Sequence, residues 1–289
     1  MNDYIFLTDS SCDLPGDPVD ALGIEYLPLS VNIGGDSYHN DLNEREITYQ
    51  EFFSRLRAGE TATTSAVNVD QFLDRMTPWL QAGKDILYIG FSSALSGTFQ
   101  SGNQAAEELR TRFPKRRICC VDTLCAALGQ GLVVYLAAKE KASGKSLEEV
   151  YQFALEVSPK VAHWFTLNDL FFLKRGGRLS ASTAVMGTML GVKPILHFED
   201  DGTLKNITKV RGRKASIQAL FEQVRDTAVD IENATVFISH GDCAEDAEKL
   251  AGMIRGLGAK EVITGYLGPV TGAHSGPGTM AVFFIATKR

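Results

Sequence analysis

Residues 85–113 constrain the fold more than any other stretch of this chain. Residues 85–91 are rich in Ile, Leu and Tyr with little alternation, the pattern of a strand buried on both faces. From Phe99 onward, apolar or small residues recur at Gly102, Ala105, Ala106, Leu109 and Phe113, which is helical spacing. A buried strand running straight into such a helix is part of a β-α-β unit, and a chain that repeats it builds a parallel sheet covered by helices. The turn between the two carries four hydroxyls, Ser92, Ser93, Ser96 and Thr98. They fall where the first helical N–H groups lack acceptors and the helix dipole is positive. Such a turn suits a phosphate or a carboxylate. Capping of the helix by Ser96 is the simpler use of the same hydroxyls.

The pattern repeats on either side. Residues 4–8 read as a strand, followed by an Asp/Ser turn at 9–13 and a helix start marked by Pro15 and Pro18. Residues 24–33 read as a strand that turns at Gly34-Gly35 and returns over 36–39, an insertion in the repeat. A helix over 48–58 is closed by Gly59, a second hydroxyl-rich loop covers 61–68, and a helix covers 70–81. A strand at 117–121 ends in Asp122-Thr123, and helices follow over 126–142 and 147–157. In parallel sheets ligands sit beyond the carboxyl ends of the strands. The polar turns at 9–11, 92–96 and 122–123 all belong to such ends.

The second half predicts strands at 161–166, 193–198, 203–210, 234–239, 261–267 and 279–286. Asp200-Asp201-Gly202 reads as a type I′ hairpin turn. Helices are expected over 182–190, 211–228 and 244–257, and a glycine turn at 174–180 carries Arg175 and Arg178. Residues 268–278 hold four glycines and two prolines in eleven positions, the composition of a rigid loop that displays His274 and Ser275. A length of 289 residues fits two domains at roughly 150 residues each. The expected fold is α/β: residues 1–160 with a mostly parallel sheet and flanking helices, residues 161–289 with a mixed sheet, and a ligand cleft between them.

Composition removes several functions. The net charge is −6 with only short basic clusters, which argues against nucleic acid as a partner. No apolar run reaches the ~18 residues of a membrane span. The N-terminus is acidic and soon polar, unlike a signal peptide. Cys12, Cys119, Cys120, Cys125 and Cys243 show neither CxxC nor zinc-finger spacing, so no metal is expected. An odd cysteine count without an export signal points to reduced thiols in a cytoplasm. Neither a P-loop nor a protein-kinase signature is present, so the chain is not a self-sufficient kinase.

Several stretches resemble the DegV family of bacterial proteins: TDSSCDLP at 8–15, Thr64-Ser65, SSALSGT at 92–98, GGRLS at 176–180, Lys193-Pro194, KVRGRK at 209–214 and the loop 268–278. They span nearly the whole chain in the family's order. The resemblance implies two α/β domains with a long-chain fatty acid buried between them. It implies, as for some members, the fatty-acid-binding subunit of a bacterial fatty acid kinase. Such a subunit has no catalytic activity of its own and no cofactor. It presents the acyl carboxylate to a separate ATP-dependent kinase subunit, which makes the acyl-phosphate. Contact with a membrane surface would be transient. The resemblance places the carboxylate on Thr64, Ser96 and His274; Ser65, Ser93 and Ser275 are candidates for a supporting layer, with turn chemistry the alternative use of Ser93. Arg178 and Arg211 match positions linked to the kinase partner and the phosphate. The chain departs from the family where Thr-Ser-Gln-Pro-Ser reads Thr64-Ser-Ala-Val-Asn68, and where Ala94 replaces a glycine.

The chemistry is coherent. Hydroxyls donate to a carboxylate without burying a cation, and a protonated His274 would add a charge-assisted bond. Burying an 18-carbon tail at ~0.8 kcal/mol per CH₂ supplies over ~10 kcal/mol gross, against ~1–3 kcal/mol for a head-group bond. The tail therefore sets affinity and the head group sets orientation. Phenylalanines and small residues of 182–190 and the final strand are candidate tail contacts, while His39, His163 and His197 read as structural. Two other functions compete. One is a serine hydrolase with Ser96 as nucleophile, His274 as base and Asp9 or Asp122 behind it, although the Gly-x-Ser-x-Gly elbow is missing. The other is a dihydroxyacetone-kinase-like binder, which needs a small polar pocket.

Overall fold

A computed structural model of the chain describes residues 4–179, 191–287 and 289. The first half runs β1 (Tyr4–Asp9), a 3₁₀ turn (Ser10–Cys12), α1 (Gly16–Ala21), β2 (Glu25–Leu27), β3 (Ser30–Ile33), β4 (Asp36–His39), α2 (Tyr49–Arg57), β5 (Ala62–Ser65) and α3 (Val69–Gln81). It continues through β6 (Asp85–Gly90), α4 (Thr98–Arg112), β7 (Ile118–Asp122), α5 (Leu128–Ala142) and α6 (Leu147–Val157). The second half runs β8 (Val161–Thr166), α7 (Phe171–Arg175), β9 (Val192–Phe198), β10 (Leu204–Arg211), α8 (Arg213–Thr227), β11 (Thr235–His240), α9 (Ala244–Arg255), β12 (Glu261–Tyr266), α10 (Pro269–Ser275) and β13 (Met280–Ile285).

The strands form three sheets. A parallel sheet has the order β2-β1-β6-β7, a mixed sheet the order β10-β9-β8-β13-β11-β12, and a small antiparallel sheet the order β4-β3-β5. The α/β class, with a parallel sheet in the first half and a mixed one in the second, is the architecture expected from the sequence. The near-continuous apolar runs of β1 and β6 are buried along almost their whole length, as both faces of a helix-covered parallel sheet require. Side-chain caps start three of the helices: Thr48 caps α2, Asn68 and Gln71 form a reciprocal capping box on α3, and Ser146 and Glu149 form another on α6, satisfying otherwise orphaned N–H groups.

One core cluster runs through both halves, from Phe6, Leu87 and Val121 to Phe165, Phe237 and Phe283. Helix α5 makes this possible, because it packs against β8, β11 and β13 of the mixed sheet. Its small residues allow the approach. A Cβ on Gly129 would lie 2.1 Å from the His163 ring, and one on Gly131 would lie 2.5 Å from the Cys12 carbonyl oxygen.

Four expectations need correction. Residues 24–33 form two strands, and β2 joins the parallel sheet beside β1, so only the β3–β4 hairpin is inserted. The hydroxyl-rich loop at 61–68 contains β5, whose Thr64 pairs with Val31 of β3. The 268–278 loop contains α10, with Pro269 at its first turn, where proline's missing N–H has no consequence. The hairpin after β9 turns with positive φ only at Gly202 (79°). That is a type I turn with a glycine bulge rather than type I′. The helix expected over 182–190 lies outside the described residues. Among the described residues, no helix is long and apolar enough to cross a membrane, and Cys12, Cys119, Cys120, Cys125 and Cys243 are free thiols.

Candidate functional site

A cavity of about 290 Å³ lies between the parallel and mixed sheets. One side is built by β5, the β6–α4 turn and the start of α5; the other by β8, β9, β13, α7 and α10. Helix α10 brings the halves together. It packs on β5, β3 and α2 as well as on α7, because Gly272 lets it approach Phe53 so closely that a Cβ would sit 2.8 Å from the ring. As a result the His274 Nε2 and the Thr64 hydroxyl meet at 2.9 Å across 210 positions of sequence.

The polar wall is continuous. The Cα of Gly176 lies so near His274 that an added Cβ would be 2.2 Å from Nδ1. The Gly176 carbonyl accepts from the Arg178 guanidinium, whose Nε donates at 3.2 Å to the carbonyl of Leu95, next to Ser96. Thr64, Ser96, Arg178 and His274 therefore share one end of the cavity. Most of the remaining lining is apolar, with Phe91, Leu173, Phe198, Val270 and Phe283 among the lining residues. Phe198 stacks on His163 at 4.4 Å between ring centroids, and the His163 Nε2 accepts from the Ala126 N–H. Ala281 and Phe283 of the final strand line the cavity; the other tail candidates, in 182–190, lie outside the described residues.

Of the three serines in the opening turn, Ser96 alone lines the cavity. Its hydroxyl meets the Thr98 hydroxyl at 3.0 Å and accepts from the Thr98 N–H, while Gly97, without a side-chain bond, occupies the cap position. Ser92 is buried and its hydroxyl has no partner among the described residues. Ser93 donates its N–H to Asp122, away from the cavity. Ser275 lines the cavity and donates to the Thr271 carbonyl. Ser65 is exposed on β5, and Arg211 is exposed on the edge strand β10; neither lines the cavity. Arg178, assigned from sequence to a partner surface, is half-buried in the cavity wall. Thr271 and Thr279 also line the cavity without having been singled out. Thr271 precedes His274 by three positions, a signal that exists only once 268–278 is known to contain a helix.

The charge state of His274 differs from the expected one. Burial, followed by the positive charges of Arg178 and Arg175, lowers its pKa to about 4. The ring is therefore neutral at neutral pH and offers an ordinary hydrogen bond rather than a charge-assisted one. Its Nδ1 is buried without a partner among the described residues.

The hydrolase arrangement is not formed. His274 bonds Thr64 rather than Ser96, and among the described residues no carboxylate bonds its Nδ1. Asp9 is held by the Tyr88 hydroxyl, the Phe91 and Ser11 N–H groups and the Gln130 amide. Asp122 accepts from the Ser93 and Leu124 N–H groups. His163 and His197 bond backbone carbonyls and His39 pairs with Glu46 at the surface. Among the described residues, no group of three His, Cys, Asp or Glu could hold a metal ion.

Comparison with known proteins agrees with this architecture. The sequence model described as "Uncharacterised protein, DegV family" matches residues 6–287. A DegV domain-containing protein of Clostridium perfringens is 43% identical over 290 residues, covering 100% of this chain and 99% of its own. A DegV family protein from Thermus thermophilus, solved for its fatty acid binding, superposes with a TM-score of 0.88 at 30% identity, covering 98% of this chain and 99% of its own. Bacillus subtilis DegV, a fatty acid binding protein, superposes with a TM-score of 0.85 at 26% identity, covering 99% and 100%. The chain belongs to the DegV family.

Proposed function

We propose that this protein binds one long-chain fatty acid in the cavity, between a domain of residues 1–160 and one of 161–289, with the carboxylate at Thr64, Ser96 and His274. One observation carries the reading: a mostly apolar cavity whose polar groups gather at one end, where Thr64 and His274 already form a bond. That asymmetry fits a molecule with a long apolar tail and a single small polar head. Neutral hydroxyls and a neutral imidazole hold the head group, and the half-buried Arg178 supplies the nearest positive charge. The fatty acids bound by the Thermus thermophilus and Bacillus subtilis relatives support the same ligand class. A small polar pocket suited to dihydroxyacetone would have the opposite lining.

Delipidated protein titrated with oleate or palmitate should take up about one equivalent and should ignore dihydroxyacetone. Saturable binding of dihydroxyacetone with no uptake of either fatty acid would overturn the reading.

The protein further presents the bound carboxylate to a separate ATP-dependent kinase subunit in the cytoplasm and has no phosphoryl-transfer activity itself. The exposed Arg211 on β10 and Arg178 beside the head-group end support this role, since guanidinium forks match phosphate oxygens. Acyl-phosphate should form only when the loaded protein, the kinase subunit and ATP are combined.

A further inference from the structure

Behind the head-group wall lies a buried polar cluster that the proposed ligand contacts leave unexplained. Asp13 closes the 3₁₀ turn after β1 with φ 53°, and it is only 2% exposed. Its carboxyl faces the Gly268 N–H and the Thr271 hydroxyl at the start of α10. A Cβ added to Gly268 would lie 2.3 Å from Asp13 Oδ1 and 3.1 Å from Asn40 Oδ1, so both oxygens crowd one point. The Asn40 amide is fixed in this orientation, because its Nδ2 donates to the Ser10 carbonyl and hydroxyl. Neither Asp13 oxygen, nor Asn40 Oδ1, nor the Thr271 hydroxyl is in close hydrogen-bond geometry with a partner.

This cluster sets three carboxyl and amide oxygens, two of Asp13 and one of Asn40, against two donors, the Gly268 N–H and the Thr271 hydroxyl. An ionised carboxylate adds only acceptors, whereas a carboxylic acid adds the O–H that Asn40 Oδ1 or the Thr271 hydroxyl can accept. Among the described residues, no cation acts on Asp13. From β1 comes Asp9, whose charge repels an ionised Asp13. From its own turn comes Cys12 and from α2 comes Tyr49, both kept protonated by burial. His274, neutral at pH 7, lies further along α10. Burial first, with Asp9 opposing the Gly268 and Thr271 contacts, leaves the Asp13 pKa near 8.

We propose that Asp13 is a positioning residue for the head-group site: as the protonated acid it anchors the start of α10, the helix that carries His274 to Thr64. Thr271 sits one turn before His274, lines the cavity and accepts from Ser275 through its carbonyl, so the anchor and the ligand wall are one short helix. A second consequence follows, and it rests on the fatty acid reading of the cavity. An anionic head group at the end of α10 and an ionised Asp13 at its start are like charges in a poorly solvated region, and they repel. Carboxylate binding therefore favours the protonated Asp13. Where Asp13 is ionised in the free protein, binding takes up a proton from solvent.

The test has two parts. In the free, full-length protein, the ¹³C shift of the Asp13 carboxyl should titrate with a midpoint near 8; a midpoint below ~5, within the ordinary carboxylate range, would overturn the anchor. This part needs no variant and no ligand. For the linkage, displacement of a fluorescent fatty acid is followed from pH 6.5 to 9.5 in the natural protein and in Asp13→Asn, with the matching fatty alcohol as a neutral ligand. Affinity for the acid should fall above pH 8 in the natural protein, by up to tenfold per pH unit, relative to Asp13→Asn. The alcohol should show no such difference. Calorimetry near pH 8.5 in buffers of different ionisation enthalpy should show proton uptake that Asp13→Asn loses and His274→Gln keeps. Parallel pH profiles for the two proteins, or uptake lost in His274→Gln instead, would refute the linkage. Absence of fatty acid binding at every pH refutes the ligand reading and leaves the carboxyl titration to decide the anchor.

Discussion

Replacing Thr64 by valine removes one hydroxyl and almost nothing else. Valine has the same branched outline, keeps the strand preference of β5 and preserves the Thr64–Val31 pairing of the backbone. The lost group bonds the His274 Nε2 at 2.9 Å, and Nδ1 of that ring is already buried with no partner among the described residues. Thr64→Val thus leaves both imidazole nitrogens unpaired and removes one proposed head-group donor. An unmet buried polar group costs ~1–3 kcal/mol, which corresponds to roughly 5- to 150-fold in affinity. Part of that is felt in the free protein, where it appears as lower thermal stability. The remainder weakens binding of the acid but not of the corresponding alcohol's tail. The assay is displacement of a fluorescent fatty acid by oleate and by oleyl alcohol, for both proteins. The expected result is a selective loss for oleate. Unchanged oleate affinity, or equal losses for acid and alcohol, would refute the placement of the carboxylate at Thr64.

Three further outcomes follow from the same geometry. Gly176→Ala brings a Cβ to 2.2 Å from His274 Nδ1, so it should displace the ring from Thr64 and lower oleate affinity at least tenfold by the same displacement assay. The His274 ring should titrate near 4 in the free protein by two-dimensional NMR. Because that lies below the ~6.5 of an unfolded histidine, the unfolded chain binds more protons between those values. Stability from this residue is complete above pH ~6.5 and is lost as pH falls toward 4, a slope in urea midpoints that His274→Gln should flatten. Arg211→Ala, exposed and outside the cavity wall, should leave oleate affinity within twofold while lowering acyl-phosphate formation by the kinase subunit at least tenfold.

The parallel sheet was legible because β1 and β6 are short apolar runs followed by polar turns, and burial on both faces leaves few other ways to place them. Helix α10 was not legible. Glycine and proline are loop signals by local propensity, but here Pro269 starts a helix and Gly272 lets it approach Phe53. Local signals cannot distinguish a glycine that turns the chain from one that admits a ring. β5 was hidden for a related reason: a run of threonine and serine fits a loop or an edge strand equally well, and its pairing with β3 is set by residues thirty positions away.

The site was only partly visible. Thr64 and His274 were named from the family resemblance, since no spacing rule joins residues 210 positions apart. Ser96 could not be separated from Ser92 and Ser93 by residue type; the backbone turn decides which hydroxyl meets the cavity. The neutrality of His274 depends on burial and on Arg175 and Arg178 lying nearby, neither of which a sequence pattern carries. Asp13 sat in a turn with Asp9 and read the same way. The two differ because Asp9 receives four donors, while Asp13 faces Gly268 and Thr271 without a closed bond.

The ligand itself is the most direct test. Protein purified without added lipid should be weighed intact by native mass spectrometry and again after denaturing extraction. A mass increment of one long-chain fatty acid per chain, recovered as free acid in the extract, is the predicted result. A chain of bare mass that acquires no increment on incubation with oleate or palmitate would contradict the account.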